Sequence, residues 1–178
     1  MNNKKSKVKI IGGSWKRKNI SFYDSDGLRP TLNRVRETLF NWLGQDLSDK
    51  NCLDLFSGSG ILGFESLSRN AQSCTLVDNK SSVIECLSDN KNSLNANNAL
   101  VINSEAEIFL KNNKKLFDII FFDPPFENPN VYNLLVEIKN HLKPKGIVYL
   151  ETNKKYSKNE FKILKTSRAG KVYFYLLQ

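Results

Sequence analysis

The sequence predicts an α/β domain, built on a mostly parallel sheet with helices on both faces and an antiparallel C-terminal hairpin. Two observations predict it. From residue 52 onward, short apolar segments typical of strands alternate with segments that have helical spacing, and such alternation produces parallel strands. After the last of these strands, FKILKTS and VYFYLLQ are joined by RAGK, which predicts a hairpin at one edge and a mixed sheet.

Residues 1–45 predict a small, basic extension made of a β-hairpin and a helix. Residues 1–7 are expected to be frayed. The segments VKIIGG and SWKRKNISFY predict two short strands around Gly12 and Gly13, and a loop follows. A helix is then expected over TLNRVRETLFNWL, with Thr31 as its cap and Gly44 at its end.

Residues 46–178 predict the main domain, in which strands and helices alternate in order. The strands are CLDLF, SCTLVD, ALVIN, FDIIFFD and GIVYLE, and the helices cover residues 59–68, 80–94, 104–111 and 131–142. Pro144 and Gly146 are expected to end the last helix, where His141 would cap carbonyl groups.

Composition and charge restrict the class of protein. The chain has 178 residues with 40% hydrophobic and 25% charged side chains, which indicates a soluble, cytoplasmic protein without a membrane span or a secretory signal. The spacing of the three cysteines predicts buried thiols and no metal site. Residues 1–36 hold ten basic and two acidic side chains, as do residues 139–178, whereas residues 37–138 are acidic. Two basic ends favour a polyanionic partner.

The stretch DLFSGSG ends in a glycine turn between a strand and a helix. The full pattern G-x-G-x-x-G also occurs in dinucleotide-binding proteins, so the glycines alone do not decide the ligand. Asp54 lies just before the turn, where a carboxylate repels a pyrophosphate and attracts a cation. This favours S-adenosylmethionine, which has a sulfonium and an amino group, over NAD. Asp78 ends the next strand, where it would accept from ribose hydroxyl groups.

The second motif, DPPF, follows the strongly apolar strand FDIIFF. Pro124 favours an extended conformation of Asp123 and has no N–H group, so the corner presents acceptors. Its target is therefore a donor, and an exocyclic amine of a base fits. Hydrogen bonds to Asp123 and to the Pro124 carbonyl would orient such an amine, and Phe126 would stack on the flipped base.

These motifs together resemble a known family. DLFSGSG, VD, NSEA and DPPF are similar to the motifs of class I S-adenosylmethionine-dependent amino-methyltransferases, which have a Rossmann-like fold. IIGGSWKRKNI and GLRPTLNRVRETLFNWL resemble the RsmD-type methyltransferases, which act on guanine N2 of small-subunit ribosomal RNA. The resemblance covers nearly the whole chain. It implies S-adenosylmethionine as cofactor and a guanine of 16S ribosomal RNA in the small ribosomal subunit as substrate. The protein is expected to be a monomer.

The resemblance and the motifs together assign candidate residues to three roles. Asp78 and Glu105 depart mildly from the family pattern, which carries Glu and a shorter polar residue there. The expected catalytic residues are Asp123, Pro124, Pro125 and Phe126. The expected cofactor-binding residues are Asp54, Phe56, Gly58, Ser59, Gly60, Asp78, Asn79, Glu105 and Ala106. The expected RNA-binding residues are Trp15, Lys16, Arg17, Arg29, Thr31, Arg34 and Arg36, the last two on the outward face of their helix.

Three alternatives remain open at the level of sequence. DPPF also suits an adenine-N6 methyltransferase that acts on DNA or RNA. The basic ends alone would suit an RNA-binding module without catalysis. The glycine pattern would suit an NAD-dependent oxidoreductase, although Asp54 speaks against it.

Overall fold

The computed structural model describes residues 5–23, 31–157 and 160–178, and these form nine strands and five α-helices. A short 3-10 helix covers Pro129–Asn133. The strands are β1 Lys5–Lys9, β2 Asn19–Tyr23, β3 Asn51–Asp54, β4 Ser73–Asp78, β5 Ala99–Asn103, β6 Phe117–Phe122, β7 Leu142–Thr152, β8 Ile163–Ala169 and β9 Val172–Leu177. The helices are α1 Asn33–Leu43, α2 Ile61–Ser68, α3 Ser81–Leu94, α4 Ala106–Asn112 and α5 Leu134–Lys139.

Seven of the described strands form one sheet in the order β5-β4-β3-β6-β7-β9-β8. The first five are parallel, whereas β9 is antiparallel to both β7 and β8. The predicted mostly parallel sheet with an antiparallel C-terminal hairpin is confirmed. From β3 the chain moves outward through β4 and β5 and then returns to β6 on the other side of β3. Ligands of such sheets bind at this reversal, beyond the carboxyl ends of the strands.

Helices cover both faces of the sheet, as predicted. On one face, buried side chains of α1, α2 and α3 pack with Leu76 and Phe121 in a single hydrophobic cluster. On the other face, α4 and α5 pack with Leu53, Ile120 and Phe122 in a second cluster. Among residues 5–23, 31–157 and 160–178, no helix has the length and apolar character that a bilayer span requires.

The N-terminal extension packs into the first of these clusters. Strands β1 and β2 form a separate antiparallel pair. Ile10 and Ile20 are fully buried in the same cluster as α1 and α2. The Asn90 side chain on α3 accepts from Ser21 N at 2.8 Å and donates to Ser21 O at 2.7 Å, which ties β2 to that helix. The domain boundary at residue 45 stays a prediction.

The loop between β1 and β2 docks on the end of α2, and this docking explains the IIGG motif. Ser14 N donates to Ser68 O at 2.6 Å, and Ser68 Oγ donates to Gly12 O at 2.5 Å. Gly13 has φ 72°, and a Cβ atom there would lie 1.8 Å from Ser68 O. A Cβ atom on Gly12 would lie 2.1 Å from the Arg69 guanidinium. Glycine therefore permits the close approach of this loop to α2.

Two local predictions in the extension are wrong. Residues 5–7 belong to β1 instead of a frayed end, because they pair with residues 21–23 of β2. The strand ends at Lys9 and does not reach Gly12, since Ile10 N donates to Lys18 O at 2.9 Å and closes the loop. The predicted loop residues 24–30 lie outside the described residues.

Thr31 does not cap α1. The helix begins at Asn33, its N-cap position is Leu32, and no side-chain hydrogen bond caps it. Leu32, which lies at helical spacing from the buried Val35 and Leu39, is nevertheless 64% exposed. The Thr31 hydroxyl instead donates to Asp123 Oδ2 at 3.4 Å, so this residue faces the carboxyl edge of the sheet.

The predicted helix over residues 131–142 is shorter and divided. A 3-10 helix precedes α5, and the chain already enters β7 at Leu142. Leu142 pairs with Phe117 and Ile147 with Ile119, so the residues between them form an irregularity. Pro144 lies in this irregularity, where a residue without an N–H group is tolerated. His141 does not act as the predicted cap, since its Nδ1 contacts Asn113 Nδ2 at 3.1 Å.

Arg36 is the largest departure from the sequence prediction. Its side chain is fully buried and therefore cannot meet an RNA phosphate, whereas Arg34 is exposed as expected. Arg36 Nη1 lies 2.7 Å from Glu65 Oε1 of α2, and both side chains are 0% exposed. Arg36 also donates to Lys9 O and to Thr31 O, each at 3.1 Å, and to Asn33. Charged side chains are buried in proteins mainly when paired in this way.

We expect Arg36→Ala to lower the free energy of unfolding by about 3–5 kcal/mol, because it leaves the Glu65 carboxylate buried without its main partner. Urea denaturation of the purified protein measures this loss. Arg34→Ala, an exposed arginine of the same helix, is the matched control and should stay within about 0.5 kcal/mol of the parent. Equal losses in the two variants would contradict a structural role of Arg36.

Candidate active site

Acidic side chains lie at the carboxyl ends of neighbouring parallel strands. Asp54 is the last residue of β3, Asp78 is the last residue of β4, and Asp123 directly follows β6. Because these strands are adjacent and parallel, their carboxyl ends meet at one edge of the sheet. The structure thus brings together the two motifs, DLFSGSG and DPPF, that the sequence singled out.

The glycine turn connects β3 to α2 in a conformation that other residues rarely adopt. Gly58 has φ 49° and Gly60 has φ 76°. A Cβ atom on Gly60 would lie 2.4 Å from the Leu87 side chain and 2.8 Å from the Phe64 ring. The left-handed Gly60 also explains why α2 begins at Ile61 and not at the predicted residue 59.

The N–H groups of this turn already have acceptors within the protein. Gly58 N donates to Asp78 Oδ2 at 3.0 Å, and Gly63 N donates to Asp54 Oδ2 at 3.0 Å. Gly60 N donates to Ser57 O at 2.6 Å. A pyrophosphate binds such turns through free N–H groups at the start of the helix. Here carboxylates occupy two of them, which disfavours a dinucleotide and favours a cationic ligand without phosphate.

Asp54 is the most deeply buried of these carboxyl groups, with 3% of its surface exposed. Burial raises its pKa to about 7, the Gly63 N–H lowers it, and the nearby Asp78 raises it further. A cation at this edge would favour the ionised form and return the pKa toward its usual range.

The remaining predicted cofactor residues follow β3, β4 and β5 at the same edge. Asn79 Nδ2 donates to Glu105 Oε1 at 2.8 Å, which joins the loops after β4 and β5, and Ala106 begins α4. Ser59 is buried in the glycine turn. The Phe56 ring meets the Phe122 ring edge-on at 5.6 Å between centroids. This contact connects the glycine turn with the strand that leads into DPPF.

The DPPF corner presents a half-buried carboxyl group. Pro124 is buried, Pro125 is exposed and the Phe126 ring is half-buried. The surrounding protein and the negative charges of Glu151 and Asp54 raise the pKa of Asp123 well above its usual range, while the Thr31 hydroxyl lowers it. A group that donates hydrogen bonds would stabilise the Asp123 carboxylate.

Glu151, which no sequence motif singled out, lies near the end of β7 beside Asp123. Its side chain is 6% exposed, and the Tyr149 hydroxyl donates to its Oε1 at 2.7 Å. A signal was present in the sequence, since this acid closes the apolar run GIVYLE as Asp123 closes FDIIFF. The register of two strands far apart in sequence was needed to see that the two acids are neighbours.

The candidate RNA-binding residues are not gathered at one place. Lys16 and Arg17 are exposed and Trp15 is half-buried in the loop that docks on the end of α2. Since α2 starts at the carboxyl edge and runs away from it, this loop lies about one helix length from the glycine turn. A cleft of about 320 Å³ between the loop and α1 is lined by polar groups that include Lys16 and Arg69. Arg29 lies outside the described residues.

Residues 5–23, 31–157 and 160–178 contain no group of three or more His, Cys, Asp or Glu side chains arranged to hold an ion.

The fold is that of the class I methyltransferases. A solved structure described as a putative methyltransferase yhhF from Escherichia coli superposes with a TM-score of 0.86 at 36% identity, covering 97% of this chain and 98% of that one. A Thermus thermophilus 16S rRNA N2 G1207 methyltransferase, RsmC, in complex with AdoMet and guanosine superposes with a TM-score of 0.72 over 98% of this chain and 50% of that one. At 19% identity, that second likeness concerns the fold alone.

Residues 8–178 match the family described as Conserved hypothetical protein 95. The Ribosomal RNA small subunit methyltransferase D of Escherichia coli K12 is 44% identical over 82% of this chain and 74% of its own length. The protein of the same name from Haemophilus influenzae is 40% identical over 99% and 96%. The chain therefore belongs to this family, which is the RsmD-type family that its motifs indicated.

Asp54 makes the stability of the free protein depend on pH. Its raised pKa, about 7, means that between about pH 4 and that value the folded protein binds one more proton than the unfolded chain. The free energy of unfolding therefore falls as the pH rises through this range. We expect the free energy of unfolding of the parent protein, taken relative to that of Asp54→Asn, to fall by about 2.5 kcal/mol from pH 5 to pH 8.

Urea denaturation at both pH values measures this change, and comparison with the variant cancels the contributions of carboxyl groups that do not interact with Asp54. A difference that stays constant with pH would contradict the raised pKa.

Proposed function

We propose that this protein methylates the exocyclic N2 amine of a guanine in 16S ribosomal RNA of the small subunit, with S-adenosylmethionine as methyl donor. One observation carries the proposal: the glycine turn whose N–H groups are occupied by Asp54 and Asp78 shares an edge of the sheet with Asp123. The glycine turn suits a cationic methyl donor, and Asp123 suits an amine as the methyl acceptor. The names of the RsmD relatives support the ribosomal substrate.

The donor set fits S-adenosylmethionine. Asp54 offers an acceptor for a cationic group and Asp78 an acceptor for ribose hydroxyl groups, while the N–H groups of Gly58 and Gly63, which a phosphate would need, are already bonded. When bound, S-adenosylmethionine supplies a methyl group on a sulfonium sulfur, which keeps the electron pair of the S–C bond as the methyl group leaves. The residues proposed to hold it are Asp54, Phe56, Gly58, Ser59, Gly60, Asp78, Asn79, Glu105 and Ala106.

Asp123 and Pro124 would orient the amine. The lone pair of an exocyclic amine is delocalised into the ring, so the amine is a weak nucleophile and gains from alignment. The Asp123 carboxylate and the Pro124 carbonyl would each accept from one of its N–H groups and stabilise the positive charge that develops on nitrogen. Asp123 or water would then take the proton that the nitrogen loses, while Phe126 stacks on the flipped base.

Acceptors around the DPPF corner favour guanine over adenine. The N2 amine of guanine stands beside the N1–H donor, whereas the N6 amine of adenine stands beside an acceptor. The negative Asp123 corner favours a neighbouring donor and repels a neighbouring lone pair.

The test offers radiolabelled S-adenosylmethionine to the purified protein with small subunits that lack the modification, with naked 16S ribosomal RNA or with duplex DNA. We expect label in N2-methylguanosine from the ribosomal substrates after digestion to nucleosides. Label in N6-methyladenosine or in DNA would overturn the assignment of the target atom. Label in no substrate, with a related active enzyme as positive control, would overturn methyl transfer altogether.

Asp123→Asn should lower kcat by about a hundredfold or more, because the carboxylate that orients the amine and accepts its proton is lost. The affinity for S-adenosylmethionine should change little, since Asp123 is assigned to the base. Single-turnover kinetics and calorimetry measure the two quantities separately. Parallel losses of turnover and cofactor affinity would argue against this division of roles.

Replacing Lys16 and Arg17 by Ala should weaken RNA binding and flatten its salt dependence. Loss of two phosphate contacts lowers the slope of log K against log salt by about 1.4–1.8 units. The matched control is Lys114→Ala with Lys115→Ala, a second adjacent pair of exposed basic residues, in the loop after α4. If the two double variants show the same salt slope, the β1–β2 loop is not part of the RNA contact.

A further inference from the structure

Asp123 and Glu151 are neighbours at the carboxyl ends of two adjacent parallel strands. Strand β6 pairs with β7 in a register that places Phe122 opposite Leu150. Asp123 directly follows Phe122, and Glu151 directly follows Leu150. Neither the DPPF motif nor the role proposed for Asp123 explains why a second acid, the almost fully buried Glu151, lies beside it.

Hydrogen-bonding groups fix both carboxyl groups from the protein side. The Tyr149 hydroxyl donates to Glu151 Oε1 at 2.7 Å, and the Thr31 hydroxyl donates to Asp123 Oδ2 at 3.4 Å. Burial raises the pKa of Glu151, while Tyr149 and Thr31 act on it in the opposite direction as hydrogen-bonding neighbours. Thr31, itself buried, therefore faces both acids.

No basic side chain of the described residues balances these acids. The ion pairs formed within residues 5–23, 31–157 and 160–178 include neither Asp123 nor Glu151. The titratable groups that face Asp123 are Glu151 and Tyr149 of β7, Asp54 of β3 and Tyr132 of the 3-10 helix. Two carboxyl groups in such surroundings favour a state in which one of them keeps its proton.

We propose that Glu151 is a positioning residue for the methyl transfer and acts through Asp123. Its carboxyl group, held by Tyr149 and connected through Thr31, sets the orientation of the Asp123 side chain and the charge that Asp123 presents to the target amine.

This inference rests on the proposed function and deepens it. If the pair shares a single negative charge, its oxygens would accept hydrogen bonds from the incoming amine without the electrostatic repulsion of two adjacent carboxylates. The proton that the amine loses would then go to a pair whose affinity for it is raised, which suits a group that must accept a proton near neutral pH. No bond other than N–H and O–H changes in this step.

The first test is a titration of the free protein by carbon-13 NMR of labelled Asp side chains, with the Asp123 signal assigned by its loss in Asp123→Asn. Glu151→Gln removes the neighbouring charge, so the titration midpoint of Asp123 should move to lower pH by about one unit or more. Thr31→Val removes a donor to the carboxylate, so the midpoint should move to higher pH. Glu137→Gln, an exposed acid on α5, is the control and should leave it unchanged.

An unchanged or raised midpoint in Glu151→Gln would overturn the proposal. If that variant does not fold, Thr31→Val decides, and an unchanged midpoint there overturns it. Because this readout needs no RNA, it separates the influence of Glu151 from the proposed function. If the parent protein fails to label guanosine, the proposed function fails, whatever the titration gives.

The second test uses turnover. Glu151→Gln should lower kcat by about tenfold with unchanged affinity for S-adenosylmethionine, and the acidic limb of its pH profile should move to lower pH. Added to Asp123→Asn, the same substitution should cause no further loss, because it acts only through the missing carboxylate. Losses that multiply would show that Glu151 acts independently of Asp123 and would overturn the proposal.

Discussion

The buried ion pair between Arg36 and Glu65 is the interaction on which the rest of the arrangement depends. It joins α1 to α2 at 2.7 Å with both side chains excluded from solvent. Arg36 also binds the carbonyl groups of Lys9 and Thr31, and Glu65 Oε1 accepts from Ile11 N at 2.6 Å. One pair of charges therefore fixes the N-terminal segment, the first helix and the helix that follows the glycine turn relative to one another.

The same pair connects the extension with the candidate catalytic group. The Thr31 carbonyl oxygen accepts a hydrogen bond from Arg36, and the Thr31 hydroxyl donates one to Asp123. The buried charges thus hold a residue of the extension against the carboxyl edge of the sheet, where it faces Asp123, which follows β6, and Glu151 near the end of β7. Through this contact the extension completes the environment of Asp123.

Carboxyl groups have two uses at this edge. Asp54 and Asp78 occupy the N–H groups of the glycine turn, which removes the donors that a phosphate would need. Asp123 and Glu151 form an acceptor-rich corner beside them. A turn that binds dinucleotides in other proteins is here surrounded by negative charge, and this electrostatic environment supports the proposed cationic methyl donor and the proposed hydrogen-bond-donating amine.

The sequence by itself determined the types and order of most elements, the mixed sheet, the glycine turn, the acidic strand ends and the family, because these follow from local periodicity and short motifs. Only the tertiary structure decided where Arg36 points, what Thr31 contacts and that Glu151 stands beside Asp123. A charged residue next to an apolar face is expected outside, yet Arg36 finds its partner 29 residues away. Such partnerships depend on how distant segments pack, and neither spacing nor propensity contains that information.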